Sequence, residues 1–336
     1  MRILDRRPLP RAELSLPVFG LGCAQLGGLF RAISDEQSGA IVDAAWKRGV
    51  RHFDTAPFYG YGLSERRLGA ALRRRRRDDI VLSSKVGRLL WPDAGVRPGD
   101  DGFAQPLPYR PVYDYTYGGV MRSFDDSLQR LGVERIDILY VHDIGRVTHG
   151  DAQAVYWDQL TKGGGFRALD ELRGQRSVKA VGVGVNEWQA ALDCLREFDL
   201  DCTMLAGRYT LLEQASLSPF LDECVKREHR VVVAGPFNSG VLAGGEHFNY
   251  GRAPADVVER VRLLDAVCCE FGVPLPAAAL QFPLAHPAVV SCVAGSHDAA
   301  EVAQNISWFE QPIPHALWTA LRERGLIDAH APLPEA

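Results

Sequence analysis

A single α/β domain of the (β/α)8, or TIM, barrel class is what the sequence predicts, and three observations carry it. Short β-branched apolar runs alternate with longer amphipathic segments, the pattern of repeated βα units. Eight such runs can be counted, and polar residues able to do chemistry stand at the ends of several. The 336 residues, 46% of them apolar, suit one barrel spanning 1–336, with no low-complexity linker to divide it. A doubly wound sheet is the alternative. It normally announces a nucleotide by G-x-G-x-x-G after its first strand, and Gly20-Leu-Gly-Cys-Ala-Gln-Leu-Gly27 does not keep that spacing.

The residues before Phe19 hold three prolines and predict a short N-terminal hairpin closing the barrel bottom. Strands are expected at 19–23, 51–54, 80–85, 136–142, 178–185, 202–206, 230–234 and 289–294. Helical patterns include 35–48, 118–131, 187–198, 217–228 and 255–271. Three helix starts are marked by a capping residue: Ser34 before an acidic turn, Ser64 before Glu65, and Asn186 before Glu187. After the third strand, 88–117 is long for a βα loop. It carries Trp91, Phe103, Tyr109, Tyr113, Tyr115 and Tyr117 among prolines, glycines and aspartates, which predicts an ordered lid.

A formal charge of −4 gives no reason to expect nucleic acid or an anionic membrane as partner. The dense basic run Arg73 to Arg77 follows a helical segment and reads as a solvated face favoured by the helix dipole. Seven scattered cysteines form no C-x-x-C pair and read as reduced core thiols. The N-terminus lacks the apolar stretch of a secretory signal, and no run approaches the roughly 18 apolar residues of a membrane span. A cytoplasmic location is expected.

The chemistry rests on Asp54, Tyr59, Lys85 and His142, three of them at predicted strand ends and the fourth in the loop that follows Asp54. In a barrel, such ends converge on one mouth. A tyrosine, with a reference pKa of about 10, moves protons at neutral pH only if its neighbours help. A nearby lysine can lower that pKa, and an aspartate can hold the lysine in place. No metal is implied: His142 and Asp143 are adjacent, and there is no H-E-x-x-H or cysteine cluster. His149, His247 and His286 read as loop or surface histidines.

Four motifs occur in order: Phe53-Asp-Thr-Ala-Pro-Phe-Tyr-Gly60 with Gly62-Leu-Ser-Glu-Arg-Arg-Leu-Gly69, Ser84-Lys-Val-Gly87, Leu128-Gln-Arg-Leu-Gly132, and Asp137 leading to Val141-His142. On these the chain resembles the aldo-keto reductases, from about residue 18 to 309. The resemblance implies a catalytic tetrad of Asp54, Tyr59, Lys85 and His142 and a nicotinamide dinucleotide lying across the barrel mouth. It places cofactor contacts at Asn186, at Ser239, Gly240 and Leu242 after the seventh strand, and at Gly295, Ser296, Glu301, Gln304 and Asn305 after the eighth. Two departures touch the nicotinamide: Ala206 stands for the family's glutamine, and Ala234 or Gly235 for its stacking aromatic. A third concerns the adenosine end. Where members that prefer NADP carry basic groups, this chain has Gly295 and Glu301, so NAD is expected over NADP. The alternative is that Glu301 only caps or pairs on its helix.

Asp114-Tyr-Thr-Tyr-Gly-Gly119, His142-Asp-Ile-Gly145 and Leu205-Ala-Gly-Arg-Tyr-Thr-Leu-Leu-Glu-Gln214 resemble the branch of that family that oxidises aldoses such as L-fucose, or pyridoxal. Both substrates are cyclic hemiacetals, and oxidation at the anomeric carbon leaves a lactone. Trp91, Tyr115, Asp143 and Arg208 are the expected substrate contacts. A general aldehyde reductase and a nucleotide-binding regulatory subunit are the alternatives, and a homo-oligomer stays open.

Overall fold

The computed structural model describes residues 1–335. An antiparallel hairpin comes first, β1 (Arg6–Leu9) with β2 (Leu14–Pro17). There follow β3 (Phe19–Gly22), β4 (His52–Asp54), β5 (Val81–Val86), a second hairpin of β6 (Arg88–Pro92) and β7 (Tyr109–Tyr113), then β8 (Ile138–His142), β9 (Ala180–Val185), β10 (Cys202–Ala206) and β11 (Arg230–Ala234). A small hairpin of β12 (His247–Phe248) and β13 (Gly251–Arg252) precedes β14 (Val289–Gly295). The parallel strands close as β3-β4-β5-β8-β9-β10-β11-β14 and back to β3, the expected eight-stranded barrel.

The N-terminal hairpin lies where expected. Leu9 and Leu16 are buried against Val81, Ile138, Ala180, Cys202, Met204, Val232 and Val290, side chains of the barrel interior near the strand starts. Covering these apolar ends removes them from water, the main favourable term available to such a plug. The segment 88–117 is ordered as the β6–β7 hairpin, anchored by an isolated bridge between Leu29 and Phe103.

Ser34 caps its helix in a full capping box with Gln37. The other two starts differ. The helix Leu63–Leu72 begins from Gly62 at φ +94°, and Ser64 turns inward instead, its Oγ 2.6 Å from Cys23 O and 2.9 Å from Thr55 Oγ1. The helix Trp188–Glu197 begins after Glu187, which leaves the Asn186 side chain for the mouth. The pattern 217–228 breaks into a π turn, Leu217–Leu221, and a short helix, Asp222–Lys226. Ser218 is extended there because Pro219 follows it.

The basic run is not simply a solvated face: Arg75 pairs with Asp43, and Arg77 donates to the buried Asp137 at 2.7 Å. His149 and His286 are buried rather than superficial. Cys269 is exposed; the other six cysteines are buried, and all are free.

Candidate active site at the barrel mouth

Strand ends bring the expected tetrad together. Asp54 closes β4, Lys85 is the penultimate residue of β5, and His142 closes β8. Lys85 Nζ donates to Asp54 Oδ2 at 2.7 Å and to Thr55 O at 2.9 Å, while Ser83 Oγ donates to Asp54 Oδ1 at 2.7 Å. Nζ stands 4.7 Å from the centroid of the Tyr59 ring, and the Tyr59 and His142 rings meet edge to face at 6.0 Å. Two glycines let the Tyr59 loop press against the loop after β3. A Cβ on Gly27 would lie 2.5 Å from Tyr59 C, and one on Gly60 would lie 2.4 Å from Gly27 O. Any larger residue at either position would push Tyr59 off Lys85.

The electrostatics correct one expectation. Burial pushes the Tyr59 phenol well above its ordinary pKa, Asp54 and Asp143 push it the same way, and Arg88 is the cation that opposes them. Lys85 does not offset this, because Asp54 already neutralises it at contact distance. His142 is held well below the ordinary histidine value by burial, then by Arg88 and Lys85, so it is a neutral imidazole at pH 7. Resting Tyr59 is a phenol, a proton donor in waiting that becomes a base only by giving up its own proton.

Of the expected substrate contacts, Asp143 faces the mouth. It is in the left-handed region at φ +50°, and its Oδ2 lies 3.4 Å from His142 Nε2. Tyr115 does not reach a substrate: it is fully buried, and its hydroxyl donates to His142 O at 2.7 Å. Arg208 is committed to the scaffold, donating to Asn186 O and to Asn249 Oδ1, both at 2.7 Å. Trp91 sits near the outer end of its hairpin, half-exposed, with Arg110 over its ring.

Two groups escaped the sequence reading. Arg88 opens β6 and is 4% exposed, its Nη2 donating to Asp143 Oδ2 at 2.5 Å and its guanidinium 4.0 Å from the Phe58 centroid. The signal was present, a lone charge between Gly87 and the apolar Leu89-Leu90-Trp91. Tyr250 is the other. It sits with Asn249 at the tip of the β12–β13 hairpin, both at positive φ, and its hydroxyl comes 3.4 Å from Asn186 Oδ1.

The cofactor positions divide. The Asn186 side chain makes two long contacts, both 3.4 Å, to Asp143 and Tyr250, which leaves its amide available. Beside it β10 and β11 end in the register pair Ala206 and Ala234, followed by Gly207 and Gly235; a Cβ on Gly235 would meet nothing nearer than 3.9 Å. That open slot of small residues fits a flat ring such as a nicotinamide. Next to it Asn238, Ser239 and Gly240 turn through φ of 47°, 64° and 109°; the N–H groups of Asn238 and Gly240 bond to Gly235 O and Phe237 O, so within this turn Ser239 would offer the backbone donor and hydroxyl to a pyrophosphate. Leu242 is a core residue instead, its side chain buried and its N–H spent on Phe237 O. At Gly295 the Gln25 amide fills the space a side chain would take, a Cβ there lying 2.2 Å from Gln25 Oε1. Asn305 Nδ2 donates to Ser296 Oγ at 3.1 Å, and Gln304 is exposed on the same helix.

The first N–H groups of that helix, Ala299–Glu310, are not free to meet a phosphate. Asp298 Oδ1 already accepts from Ala300 N and Glu301 N, both at 2.9 Å. Glu301 Oε2 folds back to accept from His297 N at 2.7 Å. Two carboxylates therefore mark this end of the cleft.

Comparison with known proteins accounts for the arrangement. The model of the aldo/keto reductase family matches residues 18–324. The chain is 49% identical to a pyridoxal 4-dehydrogenase of Microbacterium luteolum, over 97% of this chain and 99% of that one. It is 42% identical to a D-threo-aldose 1-dehydrogenase of a Pseudomonas species, over 94% and 96%. Among solved structures, an aldo-keto reductase from Bacillus halodurans superposes with a TM-score of 0.73 at 24% identity, covering 98% of each chain, a likeness of fold. With its family model covering most of its length, the chain belongs to the aldo/keto reductase family and is an oxidoreductase.

Proposed function

We propose that this protein oxidises a cyclic hemiacetal at its anomeric carbon, with Tyr59 taking the hydroxyl proton and NAD the preferred acceptor. The observation that carries the reading is the Lys85–Asp54 pair set 4.7 Å from the Tyr59 ring, with neutral His142 across from it. Once Tyr59 has lost its own proton to solvent, the C–H bond breaks as hydride leaves, the O–H bond breaks as the Tyr59 phenolate receives that proton, and the carbon–oxygen bond becomes the lactone carbonyl. A nicotinamide dinucleotide supplies the two-electron acceptor, and Asn186 with the slot beside Ala206, Ala234 and Gly235 would hold its ring. Asp54 and Thr55 O fix Lys85, which orients Tyr59. His142, uncharged, positions the substrate oxygen by hydrogen bonding without competing for the proton.

Glu301 and Asp298 support NAD over NADP, because a 2′-phosphate beside two carboxylates is repelled while a free ribose hydroxyl can donate to one of them. Aldoses of the L-fucose type are the first substrate reading, favoured by the mouth carboxylate Asp143. Pyridoxal is the second, favoured by the 49% identity to a pyridoxal 4-dehydrogenase. Six buried free thiols suit a reducing compartment, and the cytoplasm is the location we assign.

The test is a steady-state screen of L-fucose, L-galactose, D-arabinose and pyridoxal with NAD and NADP across pH. Because resting Tyr59 is a phenol of raised pKa, oxidation should climb with pH well above neutrality, about tenfold per pH unit in kcat/KM at most. Nucleotide binding without turnover of any hemiacetal at any pH would refute the reading.

A further inference from the structure

Resting on the hemiacetal reading, one observation goes past it: a second buried ion pair, Arg88 with Asp143, sits beside the tetrad and neither gives nor takes the transferred proton. The pair is expensive as built. The Arg88 and Asp143 side chains are 4% and 12% exposed, and two nitrogens of Arg88, Nε and Nη1, have no partner. Replacing such a pair by apolar side chains is commonly neutral or stabilising, so its presence here is not explained by stability.

Local geometry aims the carboxylate. Gly87 at φ +100° turns the chain out of β5 into Arg88, and a Cβ there would lie 2.2 Å from the Tyr115 ring. Asp143 adopts φ +50° directly after β8, a conformation that costs a non-glycine residue about 1 kcal/mol or more. The result places Asp143 Oδ2 between Arg88 Nη2 at 2.5 Å and His142 Nε2 at 3.4 Å. Oδ1 is engaged only by Asn186 Nδ2 at 3.4 Å, and that amide is one a nicotinamide would draw away.

A hydroxyl on the carbon next to the anomeric one lies within a hydrogen-bond length of the anomeric oxygen. Asp143 Oδ2 lies 3.4 Å from His142 Nε2, so with the anomeric oxygen held by Tyr59 and His142 the carboxylate is within reach of that neighbouring hydroxyl. We propose that Asp143, held in place by Arg88, accepts a hydrogen bond from that hydroxyl and so selects hemiacetals hydroxylated next to the reacting carbon, the aldoses. Asp143 is then a substrate contact and Arg88 a positioning residue. Burial raises the Asp143 carboxyl while Arg88 opposes the rise, so losing Arg88 also weakens the acceptor.

The experiment compares kcat/KM for L-fucose and 2-deoxy-L-fucose in wild type and in Asp143→Ala, Asp143→Asn, Arg88→Met and Arg88→Lys, with NADH binding followed by fluorescence to confirm that each variant folds. Wild type should favour L-fucose by about 10- to 100-fold, the range set by one hydrogen bond to a charged group. Asp143→Ala should bring the ratio to within about threefold, the loss on L-fucose exceeding that on 2-deoxy-L-fucose, with Asp143→Asn between the two. Arg88→Met should move the ratio the same way, and Arg88→Lys should restore part of it. Equal losses on both sugars in Asp143→Ala would overturn the proposal, as would a wild type that turns both over alike. A wild type that oxidises neither sugar overturns the aldose reading as well, which separates the two failures.

Discussion

The two ends of this barrel bury charge in opposite ways. At the bottom, Asp137 Oδ2 accepts from Leu82 N at 2.9 Å and from Arg77 at 2.7 Å, and Asp201 Oδ2 accepts from Val181 N at 2.8 Å and from Arg173 at 3.1 Å. Each carboxylate ties a backbone donor of one strand to a side chain of another element, and the hydrophobic hairpin closes over the strand starts between them. At the mouth, Arg88 Nε, Arg88 Nη1 and His142 Nδ1 are buried without partners. Among the described residues, eight of the ten non-glycine positions at positive φ follow the C-terminal end of a barrel strand, the exceptions being Arg176 and Glu228. Strained backbone gathers at the mouth, and that asymmetry is what a ligand site costs, whereas buried atoms without hydrogen-bond partners also occur away from it, Arg75 Nε and Asp137 Oδ1 among them.

The sharpest way to break this contrast is a pair of substitutions, one at each end. Tyr59→Phe removes one oxygen from a half-buried ring, so turnover should fall by about a thousandfold or more while Tm stays nearly unchanged. Asp137→Ala should do the reverse, costing roughly 3 kcal/mol by depriving Arg77 of its buried carboxylate and Leu82 N of its acceptor, with kcat/KM of the folded enzyme retained. Parallel melting curves and rates decide it; a Tyr59→Phe enzyme that still oxidises hemiacetals would sink the mechanism.

A smaller effect comes from the histidines, which stand at both ends. His52, His149, His229 and His286 are each lowered by burial to about 4, and His142 is lowered well below its ordinary value. Their folded pKa values lie below the unfolded value of about 6.5, so the unfolded chain binds more protons as pH falls. Stability is therefore intact above that value and declines from there towards pH 4, by up to about 1 kcal/mol per histidine for each pH unit. Urea midpoints at pH 7.5 and pH 5 measure the slope. His229 bonds to Thr203 and to Leu200 O in the lower half, so His229→Gln should flatten the slope without changing kcat.

The strands were legible because their apolar runs are short and β-branched; 202–206 and 230–234 match residue for residue. The tetrad was legible because each member closes or follows such a run. What stayed hidden depends on partners far away in sequence. Nothing local distinguishes Tyr115, whose hydroxyl bonds to His142 O, from an aromatic that faces substrate. Arg208 looked like a binding residue until Asn249, 41 residues on, appeared as its acceptor. Ser64 follows the pattern of a cap, yet Gly62 starts the helix and the hydroxyl goes to Cys23 O, 41 residues back. Leu242 lay in a stretch matched by family order, and only packing reveals it as core.

The smallest expected effect tests whether the adenosine end belongs with the mouth or with the bottom. Glu301 is bonded to His297 N, like a structural carboxylate, yet it is part-exposed at the start of the helix after β14. If it serves only that bond, Glu301→Gln should lower stability slightly and leave the ratio of NAD to NADP turnover unchanged. If it reads the ribose, Glu301→Gln should raise NADP use by about tenfold and Glu301→Lys by more, because a basic side chain at the helix start attracts the phosphate that a carboxylate repels. Asp298 limits the gain, since its carboxylate caps the helix and stays in place in either variant. The shift should also shrink as salt is raised, for the group is part-exposed and its field is screened. A cofactor ratio that is indifferent to both substitutions would assign Glu301 to the scaffold and leave NAD preference to be carried by Asp298 alone.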